Sequence, residues 1–300
     1  MNASVPSQHD RTGLAAAFGA YVIWGFLPLY LILVKPVPAL EFVGWRIIWT
    51  LPLCLLIVLA RKQVRELRAA LANRRTLGWL AISATLIAVN WVTYVWAIQT
   101  GEVYAASLGY YINPLVNVLL GTMLLGERLT RLQWAAVGIA AMGVSLLAAG
   151  ALTTLWISLT LALSFGTYGL IRKQVVVGSV PGLTIESLLL LLPSAGVAWY
   201  FAQTQVSSFA VSIELSLSIM LGGVLTAVPL LMFAIAARKL PYSILGFIQF
   251  LAPSIVFILG LTVFDKPLHP AEIACFACIW TAAAIFIWDL VARSRKPVAS

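Results

Sequence analysis

Ten long apolar segments, separated by short polar or charged connections, dominate this 300-residue chain. A helix needs about 20 consecutive apolar residues to cross a bilayer, and each segment is about that long. Hydrophobic residues make up 62% of the chain and charged residues 10%, against about 45–50% and 25% in soluble domains. The sequence therefore predicts an all-α integral membrane protein and excludes a soluble enzyme and a disordered chain. The predicted spans are Leu14–Leu33, Leu40–Ala60, Leu77–Ile98, Tyr104–Leu125, Leu132–Ala149, Leu152–Ile171, Gly182–Phe201, Leu215–Ala236, Tyr242–Phe264 and Ala271–Val291.

The distribution of cations predicts the orientation of the chain. With the N-terminus in the cytoplasm, 16 of the 19 Lys and Arg residues fall on the cytoplasmic side, because only Lys35 and Lys266 fall outside and Arg46 lies within a span. This is the bias that the positive-inside rule describes. Both termini are therefore predicted to be cytoplasmic. The net charge of +9 then reflects topology, and no nucleic-acid partner is expected.

A weak internal repeat divides the chain into two halves. A shift of 139 residues places Pro114 on Pro253, and a shift of 141 places Pro52 on Pro193. Each half then holds five spans, and this odd number makes the two halves cross the membrane in opposite senses. Inverted repeats of this kind are a common transporter plan, while chance matching of Pro and Gly is the alternative. The predicted organisation is a cytoplasmic tail at 1–13, five-helix repeats at 14–149 and 152–291, and a second cytoplasmic tail at 292–300.

Several segments resemble a known family. They are Asn90-Trp91 with Tyr94-Val95-Trp96-Ala97, Ala106–Val116, Gly126-Glu127-Arg128-Leu129, and Leu161–Lys173. Together they are similar to RarD proteins, within the EamA branch of the drug/metabolite transporter superfamily. The resemblance covers nearly all of residues 13–291. It implies a ten-helix permease with two inverted five-helix repeats in the bacterial inner membrane.

Two ionisable residues, Arg46 and Glu186, are predicted to lie inside spans, where charges are costly. At 1.5 Å per residue, Arg46 lies about 9 Å from the outer face and Glu186 about 6 Å from the inner face. A hydrocarbon core of about 30 Å leaves roughly 15 Å between them, so a direct salt bridge is not expected. We predict that each guards one mouth of a shared cavity, with snorkelling to the surface as the alternative. Glu41, Glu127 and other acids at span ends are predicted to be interfacial.

Polar and aromatic residues at helical spacing extend the predicted pathway. Asn90 and Tyr94 share a face of the third span, with Trp91 beside them. For each single residue, bonding to a neighbouring helix is the alternative to substrate contact. The full set of predicted pathway residues is Arg46, Asn90, Trp91, Tyr94, Tyr110, Asn113, Asn117, Tyr168, Glu186 and Gln249.

The sequence excludes two common motifs of catalysis and cofactor binding. No lysine follows a glycine, which excludes a Walker A loop, and the two distant histidines exclude H-E-x-x-H. Cys275 and Cys278 are predicted to be small packing residues on one helix face, and no cofactor or metal is expected. The sequence therefore favours a permease that moves a small, partly aromatic or amphipathic solute by alternating access, and not an enzyme. The predicted partners are the solute, the bilayer and, if transport is driven, protons carried by Glu186. Three alternatives remain: a downhill facilitator, a membrane adaptor or sensor, and an intramembrane lipid-modifying enzyme.

Overall fold

The structure, a computed structural model, describes residues 8–150, 152–204, 207–263 and 269–294. Within these ranges, all regular secondary structure is helical. The helices are α1 (Gln8–Leu31), α2 (Ala39–Ala60), α3 (Val64–Ala72), α4 (Arg74–Gln99), α5 (Val103–Leu124), α6 (Arg131–Ala148), α7 (Leu155–Gln174), α8 (Ser179–Thr204), α9 (Ile213–Lys239), α10 (Tyr242–Gln249), α11 (Leu251–Thr262) and α12 (Pro270–Ser294).

The prediction of ten membrane-spanning helices is confirmed. Ten segments are long and apolar enough to cross a membrane, and their described ends differ from the predicted ends by three residues or fewer. The predicted end of the ninth span, at Phe264, lies outside the described residues. The sixth span begins with a 3₁₀ turn at Leu152–Thr154. The short helix α3 lies between the second and third spans.

The ninth span differs from the prediction because it is two helices rather than one. α10 ends at Gln249 and α11 begins at Leu251, with a turn at Phe250. Pro253 has no N–H to donate to the carbonyl of Gln249, four residues earlier, and this missing bond explains where the helix breaks. Pro114, at the equivalent place in α5, leaves that helix continuous.

The described helices form two large buried clusters and three smaller ones. One large cluster joins α1, α2, α7, α8 and α9 and includes Tyr21, Tyr168 and Phe233. The other large cluster joins α5, α6, α10 and α12, where the rings of Phe247 and Phe286 stack with centroids 3.8 Å apart.

Cys275 and Cys278 lie where α12 packs closely on α6. A Cβ added to Gly143 would lie 2.6 Å from the Cβ of Cys278 and 3.3 Å from the Cα of Cys275. Both thiols are free. The two cysteines therefore act as small packing residues on one helix face, as the sequence predicts.

Other helices pack in pairs that span the two halves of the chain. α2 packs on α8, α6 on α12 and α5 on α10. In addition, α1 packs on α9 and α4 on α7, while α1 also contacts α11 and α5 contacts α7. The described helices of the first half are thus interleaved with those of the second.

Candidate functional site

A small, partly open cavity lies between α2, α4, α7, α8 and α9. Its volume of about 10 Å³ is room for about one water molecule. Apolar side chains form most of its wall, and Thr50, Glu186, Ser187 and Thr226 supply polar groups. The remaining lining residues are Ile47, Ile87, Trp91, Tyr168, Leu183, Leu190 and Leu230.

Glu186 lies at one side of this cavity with three polar partners. Ser83 of α4 donates a hydrogen bond to Oε1, and the Tyr168 hydroxyl donates to Oε2 over 3.5 Å. Nη1 of Arg172 lies 3.7 Å from Oε1. The side chains of Arg172 and Glu186 are only 1% and 2% exposed. Glu186 is therefore the carboxylate of a buried ion pair.

Arg172 contradicts the sequence-based prediction that only Arg46 and Glu186 are charged residues inside spans. We predicted Arg172 as a cytoplasmic cation at the end of the sixth span, whereas its side chain is buried in the bundle. The signal that could have revealed it is side-chain direction, since helical side chains point toward the N-terminus of their helix. α7 and α8 are antiparallel and joined by the short connection 175–178, so Arg172 and Glu186 point toward each other.

The Arg172 guanidinium is only partly satisfied. Nη2 donates a hydrogen bond of 2.9 Å to the carbonyl of Ser179. Nε and Nη1 are buried and have no hydrogen-bond partner among the described residues. At 3.7 Å, the contact with Glu186 is electrostatic and too long for a hydrogen bond. A modest movement of either helix would therefore strengthen or break the pair.

Arg46 lies in a different environment, surrounded by aromatic rings. Its Cζ is 4.3 Å from the Trp91 ring centroid and 6.0 Å from that of Phe42, which is cation–π geometry. The hydroxyls of Tyr94 and Tyr110 are within electrostatic range of the guanidinium, and the two tyrosine rings meet edge to face at 5.8 Å. Four of the predicted pathway residues, Arg46, Trp91, Tyr94 and Tyr110, are thus neighbours.

The two charged groups lie at different depths. Glu186 contacts Ser83 and Arg46 contacts Trp91, and both of these contact residues belong to α4. Eight residues of helix separate them, which corresponds to about 12 Å. Each charge has its own partner, a carboxylate–guanidinium pair in one case and an aromatic ring in the other.

Three of the predicted amides connect helices. Nδ2 of Asn90 donates to the carbonyl of Leu161 over 2.8 Å, which joins α4 to α7. Nδ2 of Asn117 donates to Oε1 of Gln249 over 2.6 Å, which joins α5 to the end of α10. The same Gln249 oxygen accepts from Tyr21 of α1 at 3.4 Å. These contacts are the helix-bonding alternative that the sequence left open.

Asn113 is buried, and its Oδ1 has no hydrogen-bond partner among the described residues. The predicted pathway residues therefore fall into three groups: the aromatic group at Arg46, the ion-pair group at Glu186 and Tyr168, and the amides of α4, α5 and α10. Trp91 connects the first two groups, because it stacks on Arg46 and lines the cavity with Glu186 and Tyr168.

Two acids at span ends bond to other parts of the bundle. Glu41 is fully buried, and its carboxylate accepts hydrogen bonds from Trp45, Ser207 and Ser208. Glu127 accepts from the backbone N–H groups of Tyr242 and Ser243 and so caps α10. The prediction that they are interfacial missed these contacts, because it used only their distance from the span ends.

Comparison with known proteins identifies the family. The model of the EamA-like transporter family matches residues 11–149. Protein RarD from Streptomyces exfoliatus is 42% identical over 96% of this chain and 91% of its own length. An uncharacterized transporter from Pseudomonas aeruginosa is 43% identical over 95% of this chain and 96% of its own. The chain belongs to the RarD family of EamA-like transporters.

A solved structure supports the fold of this RarD family member. A crystal structure of another protein superposes with a TM-score of 0.73, covering 95% of this chain and 99% of the other. Their sequence identity is 19%, so the similarity concerns the fold alone. The resemblance to RarD proteins predicted from sequence motifs is confirmed, and the chain is a multi-pass membrane protein of a transporter family.

Proposed function

We propose that this RarD family member is an inner-membrane carrier that moves a small organic solute by alternating access. The observation that supports it best is the buried group of Ser83, Tyr168, Arg172 and Glu186 at a cavity inside an apolar bundle. Charged residues at membrane depth are costly and typically mark a transport pathway. Because the chain belongs to a family of transporters, we interpret these buried residues as part of the transport pathway.

Two inverted repeats, 14–149 and 152–291, are part of the proposal. If the spans of the two halves are matched in order, the contact of α1 with α9 corresponds to that of α7 with α4. Likewise, the contact of α1 with α11 corresponds to that of α7 with α5. A two-fold axis in the membrane plane would exchange these contacts, and carriers with such symmetry alternate between two related conformations.

The small volume of the cavity means that helices must move during transport. A volume of about 10 Å³ is far below the roughly 300 Å³ of a small-molecule site. Movement is easiest where backbone hydrogen bonding is already interrupted, as at Phe250 between α10 and α11. We propose that α11 tilts relative to α10 when the cavity widens to admit the solute.

Proton coupling is proposed through Glu186. Adding a proton would remove the negative charge that faces Arg172 across 3.7 Å and so weaken the contact between α7 and α8. A gradient of protons could then drive helix movement without any nucleotide site. A downhill facilitator would lack this dependence.

Counterflow in proteoliposomes tests the proposed function. Purified protein is reconstituted with a high internal concentration of one unlabelled solute, and entry of the same labelled solute is measured for amino acids, other metabolites and aromatic drugs. Transient accumulation above equilibrium for at least one organic solute is expected. A response only to metal or halide ions, or no accumulation of any solute, would contradict the carrier and favour an adaptor, a sensor or a lipid-modifying enzyme.

A further inference from the structure

Arg46 is a guanidinium at membrane depth without a carboxylate partner in the described part of the chain. The ion pairs there are Arg172–Glu186 and Arg293–Asp289. Nε of Arg46 is buried and makes no hydrogen bond with a described residue. Stacking on Trp91 stabilises one face of the cation, but its N–H groups lie in the plane of the guanidinium and need acceptors.

The two nearest candidate acids in the spans are already engaged. Glu41 lies five residues before Arg46 on α2, and both of its oxygens accept hydrogen bonds from Trp45, Ser207 or Ser208. Glu186 faces Arg172 at a different depth. Neither Glu41 nor Glu186 therefore neutralises the positive charge of Arg46.

Aromatic side chains of different exposure surround Arg46. Tyr110 is 45% exposed, although its ring packs against Tyr94 and its hydroxyl is within electrostatic range of Arg46. Trp91 and Tyr94 are half-buried beside it. Aromatic rings beside a buried N–H donor without an acceptor suit a planar apolar body that carries an anionic group.

We propose that Arg46, Trp91, Tyr94 and Tyr110 form a binding site, here named the Arg46 site, for a small planar organic monoanion, with its carboxylate on the guanidinium. Arginine binds carboxylates through two parallel N–H donors, a geometry that ammonium groups lack. Trp91 also lines the small cavity between α2, α4, α7, α8 and α9. A solute at the Arg46 site therefore lies next to the route that the carrier opens. This inference rests on the proposed function and names the class of its substrate.

Matched acid and amide probes test the charge requirement directly. Binding of benzoate and benzamide, and of indole-3-acetate and indole-3-acetamide, is measured by calorimetry on the purified full chain. We expect each acid to bind about tenfold to a hundredfold more tightly than its amide, because only the acid forms a charge-assisted bond. Acids that bind no better than their amides, or chloride that displaces them at equal concentration, would overturn the proposal.

Variants locate the bound carboxylate. Arg46→Gln should abolish the preference for acids, and Arg46→Lys should retain part of it because the charge remains but the paired donors are lost. Lys35→Gln removes one exposed cation nearby in sequence and should change nothing. Asp265→Asn is a further control, since Asp265 lies outside the described residues; tighter binding of the acids in that variant would mean that an internal carboxylate already competes for Arg46, and would contradict the proposal.

The acid–amide comparison separates this inference from the proposed function. Counterflow of amides or amines at the same rate as acids would leave the carrier intact and refute the anion class. Tight binding of acids without counterflow of any solute would instead support the Arg46 site and refute transport. The comparison in the unmodified protein decides the matter even if the Arg46 variants fail to fold.

Discussion

At the scale of single residues, Arg172 and Arg46 show two ways in which a membrane protein stabilises a positive charge. Arg172 faces a carboxylate on the neighbouring helix, whereas Arg46 faces aromatic rings. Removing one partner of a buried pair leaves an uncompensated charge, and this is usually more destabilising than replacing both. The partner relationships are therefore testable by exchanging charges.

Charge exchange should distinguish the two arginines. Arg172→Glu combined with Glu186→Arg keeps opposite charges side by side and should recover much of the inserted protein that either single variant loses. Arg46→Glu combined with Glu186→Arg should recover none, because about 12 Å of depth separates the two positions. Quantitative blots of membrane fractions measure the effect. Equal recovery by both exchanges would contradict the described pairing.

The proposed role of Glu186 predicts the pH dependence of transport. In the unmodified chain, transport should change with pH as Glu186 gains or loses its proton. Glu186→Gln cannot titrate, so counterflow rates of this variant should vary with pH by about twofold or less, while the protein inserts normally. Glu66→Gln, which alters a carboxylate outside the spans, is the control. A variant Glu186→Gln that keeps the full pH dependence would exclude proton coupling through this residue.

At the scale of helices, close approach decides which residues tolerate change. Gly143 of α6 lies against Cys275 and Cys278 of α12, whereas Gly138 on the same helix has no atom within 4 Å of an added Cβ. Small residues at helix contacts allow this kind of packing in membranes. The close approach of α6 to α12 at this point therefore requires glycine at position 143.

Alanine substitutions at the two glycines give a matched test. Gly143→Ala should lower stability by about 1–3 kcal/mol, because the new methyl group overlaps the Cβ of Cys278. Gly138→Ala should be neutral or stabilising by up to about 1 kcal/mol, since alanine is the better helix former. Thermal unfolding of the purified variants in one detergent measures both. Equal losses at the two positions would show that the described packing of α6 on α12 is wrong.

Helices could be predicted from the sequence, and their contacts could not. Span length and hydropathy sufficed for ten helices. The break at Phe250 could not be predicted from Pro253 alone, because Pro114 at the equivalent place leaves α5 continuous. Asn90 and Tyr94 do share a face, yet their partners on α7 and α5 depend on the rotation and packing of three helices. Arg172 was missed for the same reason, because a hydropathy pattern does not record where a long side chain points.

At the scale of the whole molecule, the interleaved halves form one folding unit. α1 contacts α9 and α11, and α7 contacts α4 and α5, so each half covers apolar surface of the other. Neither half is expected to be stable alone. The cations still predict one orientation of this unit, with both termini in the cytoplasm.

Reporter fusions test that orientation. An enzyme active only in the cytoplasm should function when fused after Arg68 and at the C-terminus, and one active only in the periplasm should function after Thr100. The exposed cations of α3 and its flanks, Arg61, Lys62, Arg65, Arg68, Arg74 and Arg75, would then lie on the cytoplasmic face. Periplasmic activity of a C-terminal fusion would contradict both the orientation and the proposed inverted repeats.

The Arg172–Glu186 pair also bears on biosynthesis, when the chain leaves the ribosome and enters the bilayer through the translocon. Inserting Glu186 or Arg172 on a separate helix would cost about 2.5–3.5 kcal/mol each. The connection of four residues, 175–178, brings the two charges together as soon as α8 emerges. We therefore expect α7 and α8 to enter the lipid together. The two opposite charges would then pair before either helix is exposed to lipid alone.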